Sequence, residues 1–194
     1  PLRDIHALAS GAAAAMRPLV GLPFVLFGHS MGALVAFEVA RLLRAHHGAR
    51  PAHLLLSGAG APDLPALTPP LHGLQEPAFL DKLREYNGTP RDVLDNRELM
   101  ALLLPMLRAD FEACETYRYE EQPPLDSPMT LFGGVRDLDT PPHYFEAWRR
   151  HTTGSVRTYW FPGDHFFVHG STSSFLPTLA GVLTDIAAGH EPYS

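Results

Sequence analysis

The sequence Gly28-His29-Ser30-Met31-Gly32 places a serine between two glycines in the pattern G-x-S-x-G. The apolar residues 24–27 precede it and an Ala-, Val- and Leu-rich helical pattern follows it, which predicts a sharp turn from a strand into a helix. Such a turn needs glycines where a side chain would clash, and it lifts the serine hydroxyl clear of the sheet. We therefore predict that Ser30 is a covalent nucleophile and that the backbone N–H of Met31, at the positive end of the helix, stabilises an oxyanion.

A serine nucleophile needs a histidine to accept its proton and a carboxylate to hold that histidine in the correct tautomer. Both residue types follow later in the chain, each directly after a segment with the pattern of a strand. Asp137 comes after the strand predicted at 128–132, and His165 comes after the β-rich segment 155–161. Because parallel strands bring their C-terminal ends to one edge of a sheet, we predict a catalytic triad of Ser30, Asp137 and His165.

Other residues compete for two of these positions. Asp139 remains an alternative acid, because the geometry of a loop cannot be read from sequence to within two residues. Asp164 is the immediate neighbour of His165 and is too close in sequence to reach the ring edge that a triad uses, so we interpret it as a turn residue. The chain has eleven histidines, and most of the others lie in helical or loop contexts typical of surface or capping residues.

Composition indicates one domain that spans residues 1–194. The chain is 45% hydrophobic, enough for a sizeable core, and it has no apolar stretch near the roughly 18 residues of a membrane span and no signal peptide. The single cysteine, Cys114, excludes an internal disulfide, and we interpret it as a small core residue. No Cys/His spacing indicates a metal site, no G-x-G-x-x-G follows a strand, and the net charge of −6 argues against nucleic acid as a partner.

Strand and helix patterns alternate in both halves of the chain, which predicts an α/β fold: a mostly parallel sheet with helices on both faces. In the first half we predict a helix at 4–19, a strand at 24–27, a helix at 31–47 that stops at Gly48, and a strand at 53–57. In the second half we predict a strand at 128–132, a helix at 141–151 with Thr140 as its cap and Pro141 at its first position, a strand at 155–161, and a helix at 174–188.

Residues 63–124, which we call the insert, lie between the two halves and have helical patterns without a strand. We predict a helix at 77–86 closed by Asn87-Gly88, and a second helix that is capped by Asp95 and runs toward Tyr117 with a kink or break near Pro105. An insert at this point overhangs the C-terminal ends of the strands, so we expect it to act as a substrate lid.

Part of the apolar residues of the insert would line an acyl pocket, and the rest would form its own core. The candidates for substrate binding are Leu103 and Met106 of the insert, together with Phe166 beside the predicted catalytic histidine. The arginines of the insert offer positive charge to an acidic protein partner despite the negative net charge: Arg84, Arg91, Arg97, Arg108 and Arg118.

Several motifs of this chain resemble those of the type II thioesterases that accompany polyketide synthases and non-ribosomal peptide synthetases, members of the α/β-hydrolase superfamily. They span nearly the whole chain in the family's order: Phe27-Gly28-His29-Ser30-Met31-Gly32-Ala33, Phe37-Glu38-Val39-Ala40, Asn87-Gly88-Thr89-Pro90, Leu104-Pro105-Met106-Leu107-Arg108-Ala109-Asp110 and Phe161-Pro162-Gly163-Asp164-His165-Phe166-Phe167. The Leu-Arg-Ala-Asp block of the insert discriminates best, because generic hydrolases share only the turn around the serine.

The resemblance implies an enzyme that hydrolyses acyl groups from the phosphopantetheine arm of acyl or peptidyl carrier proteins, and so clears stalled or wrongly primed thioesters. It implies that Ser30, Asp137 and His165 form the triad and that the enzyme has no cofactor, since the phosphopantetheine belongs to the substrate. Met31 after the serine and the absence of a fused carrier domain favour a stand-alone enzyme over an integrated terminal thioesterase. We expect a monomer in the cytoplasm, with no metal, nucleic acid or membrane bound.

The sequence departs from the family at its start. Family members begin with several strands and a glycine-rich loop that supplies a second oxyanion N–H, whereas this sequence opens at the helix before the nucleophile strand. We therefore expect the N-terminal strands to be absent, strand 24–27 to form an open apolar edge, and an oxyanion donor worth roughly 3–4 kcal/mol to be missing. Two alternatives stay open: a carboxylesterase or lipase for small oxygen esters, and a non-catalytic hydrolase-fold fragment that binds an acyl chain or a partner.

Overall fold

The computed structural model describes residues 1–86 and 88–189. The four strands are β1 (Val25–His29), β2 (His53–Ser57), β3 (Met129–Gly134) and β4 (Val156–Phe161). The helices are α1 (Ile5–Met16), α2 (Met31–His47), α3 (Glu76–Tyr86), α4 (Arg91–Leu94), α5 (Arg97–Thr116), α6 (Pro142–Glu146), α7 (Phe167–Gly170) and α8 (Thr172–Ala187). Within these residues, no helix combines the length and the apolar content that crossing a membrane requires.

The four strands form one parallel sheet in the order β1-β2-β3-β4. All four C-terminal ends therefore lie at the same edge, which confirms the predicted α/β architecture. Within the described residues β1 pairs only with β2, and the Phe27 side chain on β1 is 46% exposed.

The central strand β2 is buried on both faces, and its alternate residues belong to different cores. Leu54 and Leu56 pack on one face with Phe37 of α2 and Trp148, while Leu55 packs on the other face in the cluster that includes α8. All three leucines are at most 1% exposed, and burial of each contributes about 1.5–3 kcal/mol. Helices thus cover both faces of the sheet, as predicted.

Helix α1 packs along α2 and is shorter than predicted. Its N-terminus is capped by Asp4, whose carboxylate accepts from the N–H of Ala7 at 2.7 Å. The α-helix ends at Met16, and a 3-10 turn follows at Arg17–Leu19, because Pro18 has no N–H to continue the α-helical pattern. Helix α2 has the predicted bounds, and Gly48 ends it with a left-handed φ of 60°.

The helix predicted at 141–151 is also shorter in the structure. Helix α6 spans Pro142–Glu146, a 3-10 turn follows at Ala147–Arg150, and Pro141 is the N-cap. Thr140 is not a cap, because its hydroxyl instead donates to the Asp137 carboxylate. The other differences are at ends of elements: β1 and β3 each end two residues later than predicted, and α8 begins two residues earlier.

The insert holds α3, α4 and α5 and has an apolar cluster of its own. The buried members of this cluster are Leu71, Phe79, Leu83, Leu94 and Met100. Asp95 was predicted to cap the long helix, but it ends α4, and the cap of α5 is Asn96, whose side chain accepts from the N–H groups of Glu98 and Leu99. Helix α5 continues through Pro105 without a break, and Asn87 lies outside the described residues.

The chain that leaves the insert, residues 117–124, is tied to α2 by buried polar groups. Glu38 and Arg41 of α2 form an ion pair at 2.5 Å with side chains that are 5% and 3% exposed. The hydroxyl of Tyr117 donates to the same Glu38 carboxylate at 2.5 Å, and Arg44 donates to the carbonyls of Pro123 and Pro124. The buried polar groups of this network have hydrogen-bond partners. The network therefore holds the C-terminal end of the insert against the core.

Candidate active site

Ser30 lies in the turn between β1 and α2, and its backbone is held in an unusual conformation. Its φ of 54° is the only positive value among the described non-glycine residues. A Cβ on Gly28 would lie 2.0 Å from the Gly32 carbonyl oxygen, whereas a Cβ on Gly32 would meet no atom within 4 Å. The clash predicted at both glycines therefore holds only for Gly28, because the backbone of Gly32 fills the space above it.

The structure brings Ser30, His165 and Asp137 together at the C-terminal edge of the sheet. The Nε2 atom of His165 lies 2.8 Å from the Ser30 Oγ, and the Nδ1 atom lies 2.9 Å from the Asp137 Oδ2. A carboxylate only accepts, so Nδ1 carries the hydrogen and the Nε2 lone pair accepts from the serine hydroxyl. This is the arrangement that lets a histidine remove the serine proton.

Asp137 is buried and bonded on several sides. Besides His165, its carboxylate accepts from the hydroxyl of Thr140 at 2.5 Å and from the backbone N–H of Asp139 at 3.0 Å. Burial alone would raise the pKa of Asp137, but the hydrogen bonds from His165 and Thr140 outweigh it and hold this pKa below its ordinary value. The carboxylate is therefore ionised at neutral pH and oriented toward the histidine ring.

The rival acids have other positions. Asp139 donates its backbone N–H to Asp137, and its carboxylate makes no hydrogen bond to His165 in the structure. The Asp164 carboxylate accepts from the N–H of Phe166 at 3.0 Å, which is a turn contact. Met31 is the first residue of α2, so its N–H is one of the helix N-terminal donors without an intrahelical acceptor.

Sequence reasoning missed His29, the residue before the serine. Its Nδ1 atom lies 2.8 Å from the hydroxyl of Ser57, and its ring centroid lies 5.3 Å from that of His165. Its Nε2 atom is buried without a hydrogen-bond partner in the described part of the chain. Burial, with a smaller contribution from the charge of His165, lowers the pKa of His29 to about 4, so this ring is neutral and does not compete as a base.

A cavity of about 490 Å³ opens beside Ser30, within the size range of ligand pockets. The core contributes His29, Ser30, Met31, Leu34, Gly60 and Thr140, the catalytic loop contributes His165 and Phe166, and the insert contributes Tyr86, Asp110, Phe111 and Cys114. Burial raises the pKa of Cys114 to about 12, so its thiol is protonated and unreactive.

Of the three substrate-binding candidates, only Phe166 lines this cavity. Leu103 and Met106 do not, and the Met106 side chain is 45% exposed. The face of α5 toward Ser30 carries Asp110, Phe111 and Cys114, one to two turns further along the helix. Leu103 and Met106 share a face of α5 with Asp110 and Cys114 by their spacing, so the sequence indicates this face but not which of its turns lies over the serine.

The insert contacts His165 and Phe166 directly at and just after α3. The ring of Tyr86 meets the ring of His165 edge-on, with centroids 6.3 Å apart. The Gly88 backbone lies so close to Phe166 that a Cβ there would be 2.3 Å from the ring. The histidine and the cavity are thus covered by the insert on this side.

The parallel sheet, the helices on both faces and the serine–histidine–aspartate arrangement at the C-terminal edge define the class: an α/β hydrolase. The family model of the thioesterase domain matches residues 1–182 of this chain. The chain therefore belongs to the thioesterase family.

Individual relatives cover most of the chain. Linear gramicidin dehydrogenase LgrE of Brevibacillus parabrevis is 42% identical over 190 residues, which are 96% of this chain and 72% of that protein. The thioesterase RedJ from the prodiginine pathway of Streptomyces coelicolor has a TM-score of 0.84 and 40% identity. The match covers 92% of this chain and 71% of the RedJ chain. YbtT, a type II thioesterase from the yersiniabactin NRPS/PKS pathway, has a TM-score of 0.84 and 34% identity. The match covers 96% of this chain and 76% of the YbtT chain.

Proposed function

We propose that this chain hydrolyses acyl thioesters on the phosphopantetheine arm of acyl or peptidyl carrier proteins, as a stand-alone editing enzyme of polyketide or non-ribosomal peptide biosynthesis. The observation that carries the proposal is the hydrogen-bonded series Ser30–His165–Asp137, whose Ser30 and His165 line a cavity shared with the insert. The name of LgrE is that of a dehydrogenase, but the geometry here is that of nucleophilic hydrolysis, and RedJ and YbtT are both thioesterases.

In the acylation step, the Oγ of Ser30 attacks the thioester carbonyl carbon and gives its proton to the Nε2 of His165. The negative oxygen that forms accepts a hydrogen bond from the N–H of Met31, at the N-terminus of α2. Asp137 stabilises the imidazolium and keeps its ring oriented. The intermediate then expels the pantetheine sulfur, which leaves as a thiol with the proton from His165, and the acyl group stays on Ser30.

In the deacylation step, water takes the place of the departed thiol. His165 removes a proton from the water as it attacks the acyl-serine carbonyl, and a second oxyanion forms at the same N–H. The collapse of this intermediate breaks the bond to the Ser30 Oγ, and His165 returns the proton to that oxygen. The products are a free carboxylic acid and the regenerated serine.

The insert, residues 63–124, is proposed as the lid that admits the phosphopantetheine arm. The contacts of Tyr86 and Gly88 with the catalytic loop support a role as a cover, and Phe166 with the insert residues of the cavity would contact the acyl chain. Two exposed arginines of the insert, Arg91 and Arg97, make no ion pair in the described part of the chain and would attract an acidic carrier protein. The arrangement needs no cofactor, and we expect the enzyme to act as a monomer in the cytoplasm.

The test is hydrolysis of an acyl-carrier protein by the chain and its variants. We expect release of acetate from acetyl-phosphopantetheinyl carrier protein, with no turnover by Ser30→Ala and unchanged turnover by Ser173→Ala, which alters an exposed serine of α8. A fluorophosphonate should label the peptide that contains Ser30. Preference for a p-nitrophenyl ester over the carrier-bound thioester would favour the carboxylesterase alternative, and a folded chain without any turnover would favour the non-catalytic one.

A further inference from the structure

Asp110 on α5 lines the cavity that holds Ser30 and His165, and its carboxylate has no partner there. It makes no hydrogen bond or ion pair to any residue in the parts of the chain that the structure describes. Its surroundings are largely apolar, with Phe111 and Cys114 on the same helix face. A half-buried carboxylate without a donor is costly, and such groups are usually satisfied by a ligand or by water.

The other acidic residues of the cavity are already engaged. Glu115 accepts from the backbone N–H groups of Leu71 and His72 and from the His72 ring. The carboxylate of Asp139 faces the hydroxyl of Tyr86. The pKa of Tyr86 is raised mainly by the burial of its ring and further by the charge of Asp139. Asp110 is therefore the carboxylate that remains available to a molecule in the cavity.

No lysine or arginine lines this cavity among the described residues, whereas three carboxylates do, those of Asp110, Glu115 and Asp139. The neighbouring Arg108 is directed elsewhere: it donates to the His72 carbonyl at 2.7 Å, and its guanidinium lies 4.4 Å from the centre of the Phe79 ring. No cationic side chain among residues 1–86 and 88–189 therefore pairs with Asp110, and burial raises its pKa. The cavity is favourable for a cation and unfavourable for an anion.

We propose that Asp110 selects the acyl group of the substrate by accepting a hydrogen bond from an ammonium group, so that the enzyme prefers amine-bearing acyl thioesters, such as aminoacyl or peptidyl groups, over carboxylate-bearing ones. This inference rests on the proposed thioesterase function and adds the substrate class. Asp110 acts on specificity, and the bond-making steps remain with Ser30 and His165.

The test compares three small N-acetylcysteamine thioesters that differ in the charge of the acyl group: alanyl with an ammonium, propionyl with neither charge, and malonyl with a carboxylate. For the wild-type chain we expect kcat/KM to fall in that order. In Asp110→Asn we expect kcat/KM for the alanyl thioester to fall about 10- to 100-fold, the effect of losing a hydrogen bond to a charged group. The propionyl value should stay within about twofold, and the malonyl value should rise, because the like charge is removed.

The propionyl thioester also reports whether Asp110→Asn is folded, and Glu98→Gln, which changes an exposed acid of the same helix, should leave all three values unchanged. Equal losses on all three thioesters, in a variant that circular dichroism shows to be folded, would overturn the inference. Unchanged ratios would overturn it as well. If the wild-type chain hydrolyses none of the three thioesters, the proposed function itself fails, which is a distinguishable outcome.

Discussion

At the scale of single residues, the site separates groups that look alike in sequence. Asp137 and Asp139 are two positions apart, yet only Asp137 bonds the His165 ring, while the Asp139 backbone N–H bonds Asp137 in turn. His29 and His165 are neighbours in space, but burial keeps His29 neutral and its Nδ1 is bonded to Ser57. Each role follows from the hydrogen-bond partners of the side chain, which the residue type alone does not specify.

The first prediction concerns the two aspartates. Asp137→Asn should lower kcat by about 10³- to 10⁴-fold, because an amide in this position favours the wrong histidine tautomer. Asp139→Asn should lower kcat by less than about tenfold, since its side chain makes no bond to His165. Steady-state hydrolysis of an acyl thioester by both variants measures this, with circular dichroism to verify folding. A larger loss in Asp139→Asn would reassign the triad acid.

At the scale of elements, two parts of the chain surround Ser30 in different ways. One is the turn between β1 and α2, and the other is the insert. The turn is rigid because Gly28 contacts the backbone of Gly32, and Ser30 is held at positive φ between them. The insert rests on its own apolar cluster and is tied to α2 at residues 117–124 through Glu38 and Arg41. One element is therefore part of the core, and the other is a smaller unit placed over the cavity.

The two glycines of the turn provide a matched pair of variants. Gly28→Ala should prevent the native turn from forming, because its Cβ would overlap the Gly32 carbonyl at 2.0 Å. Gly32→Ala has open space around its Cβ and lies in helix α2, so its free energy of unfolding should be unchanged or higher by up to about 1 kcal/mol. Urea unfolding measures both. Equal destabilisation of the two variants would contradict the asymmetry seen in the structure.

The insert should open more readily than the core helix. Its cluster is small and separate from the sheet, and elements with few shared contacts open at lower free energy. Hydrogen exchange should be faster in the helices of the insert, α3 and α5, than in α2. Binding of a non-hydrolysable acyl-carrier analogue should slow exchange in the insert and leave α2 unchanged. Uniform protection, unaffected by the analogue, would indicate a rigid cover.

At the scale of the whole molecule, the parallel sheet collects residues from distant parts of the chain. Ser30 and His165 are 135 positions apart in sequence and 2.8 Å apart in space. The same core buries titratable groups, among them His53 on β2, whose side chain is 3% exposed and bonds the hydroxyl of Thr130. Stability of the sheet is therefore linked to pH.

Protonation of buried histidines should destabilise the fold between pH 6.5 and pH 4. Burial lowers the pKa of His53 from 6.5 to about 4, so the unfolded chain binds a proton in this window and the folded chain does not. Stability conferred by the neutral histidine is present above pH 6.5 and is lost as the pH falls. From pH 6.5 to 4.5 we expect a loss on the order of 2 kcal/mol from His53.

Urea unfolding at a series of pH values measures this loss. His29 adds a loss in the same direction, since burial lowers its pKa to about 4 as well. In His53→Gln, which cannot titrate, the decline of stability over this window should be smaller than in the wild-type chain. An identical pH dependence of the two proteins would show that His53 is not the titrating group.

Much of the fold and of the site follows from local sequence patterns. The turn at Ser30 and the alternation of strands and helices predicted the parallel sheet, because each pattern reflects an interaction between residues near in sequence. Asp137 and His165 each come directly after a predicted strand. They were expected to lie near Ser30 because parallel strands end at one edge of a sheet. The sequence predicted Asp95 as the cap of α5, whereas the structure has Asn96. The pattern does not separate the two, because both side chains can accept from helix N–H groups.

Only the tertiary structure decided which side chains face the serine. The sequence alone determined that α5 is a helix, but the position of that helix over the cavity is set by packing against Phe79, Tyr86 and the other elements of the insert. That position brings Asp110 and Phe111 to the cavity and leaves Met106, one turn earlier on the same face as Asp110, exposed. A period of 3.6 residues shows which side chains share a face of a helix. It does not show which turn of that face lies over the serine, because that depends on contacts between residues far apart in the chain.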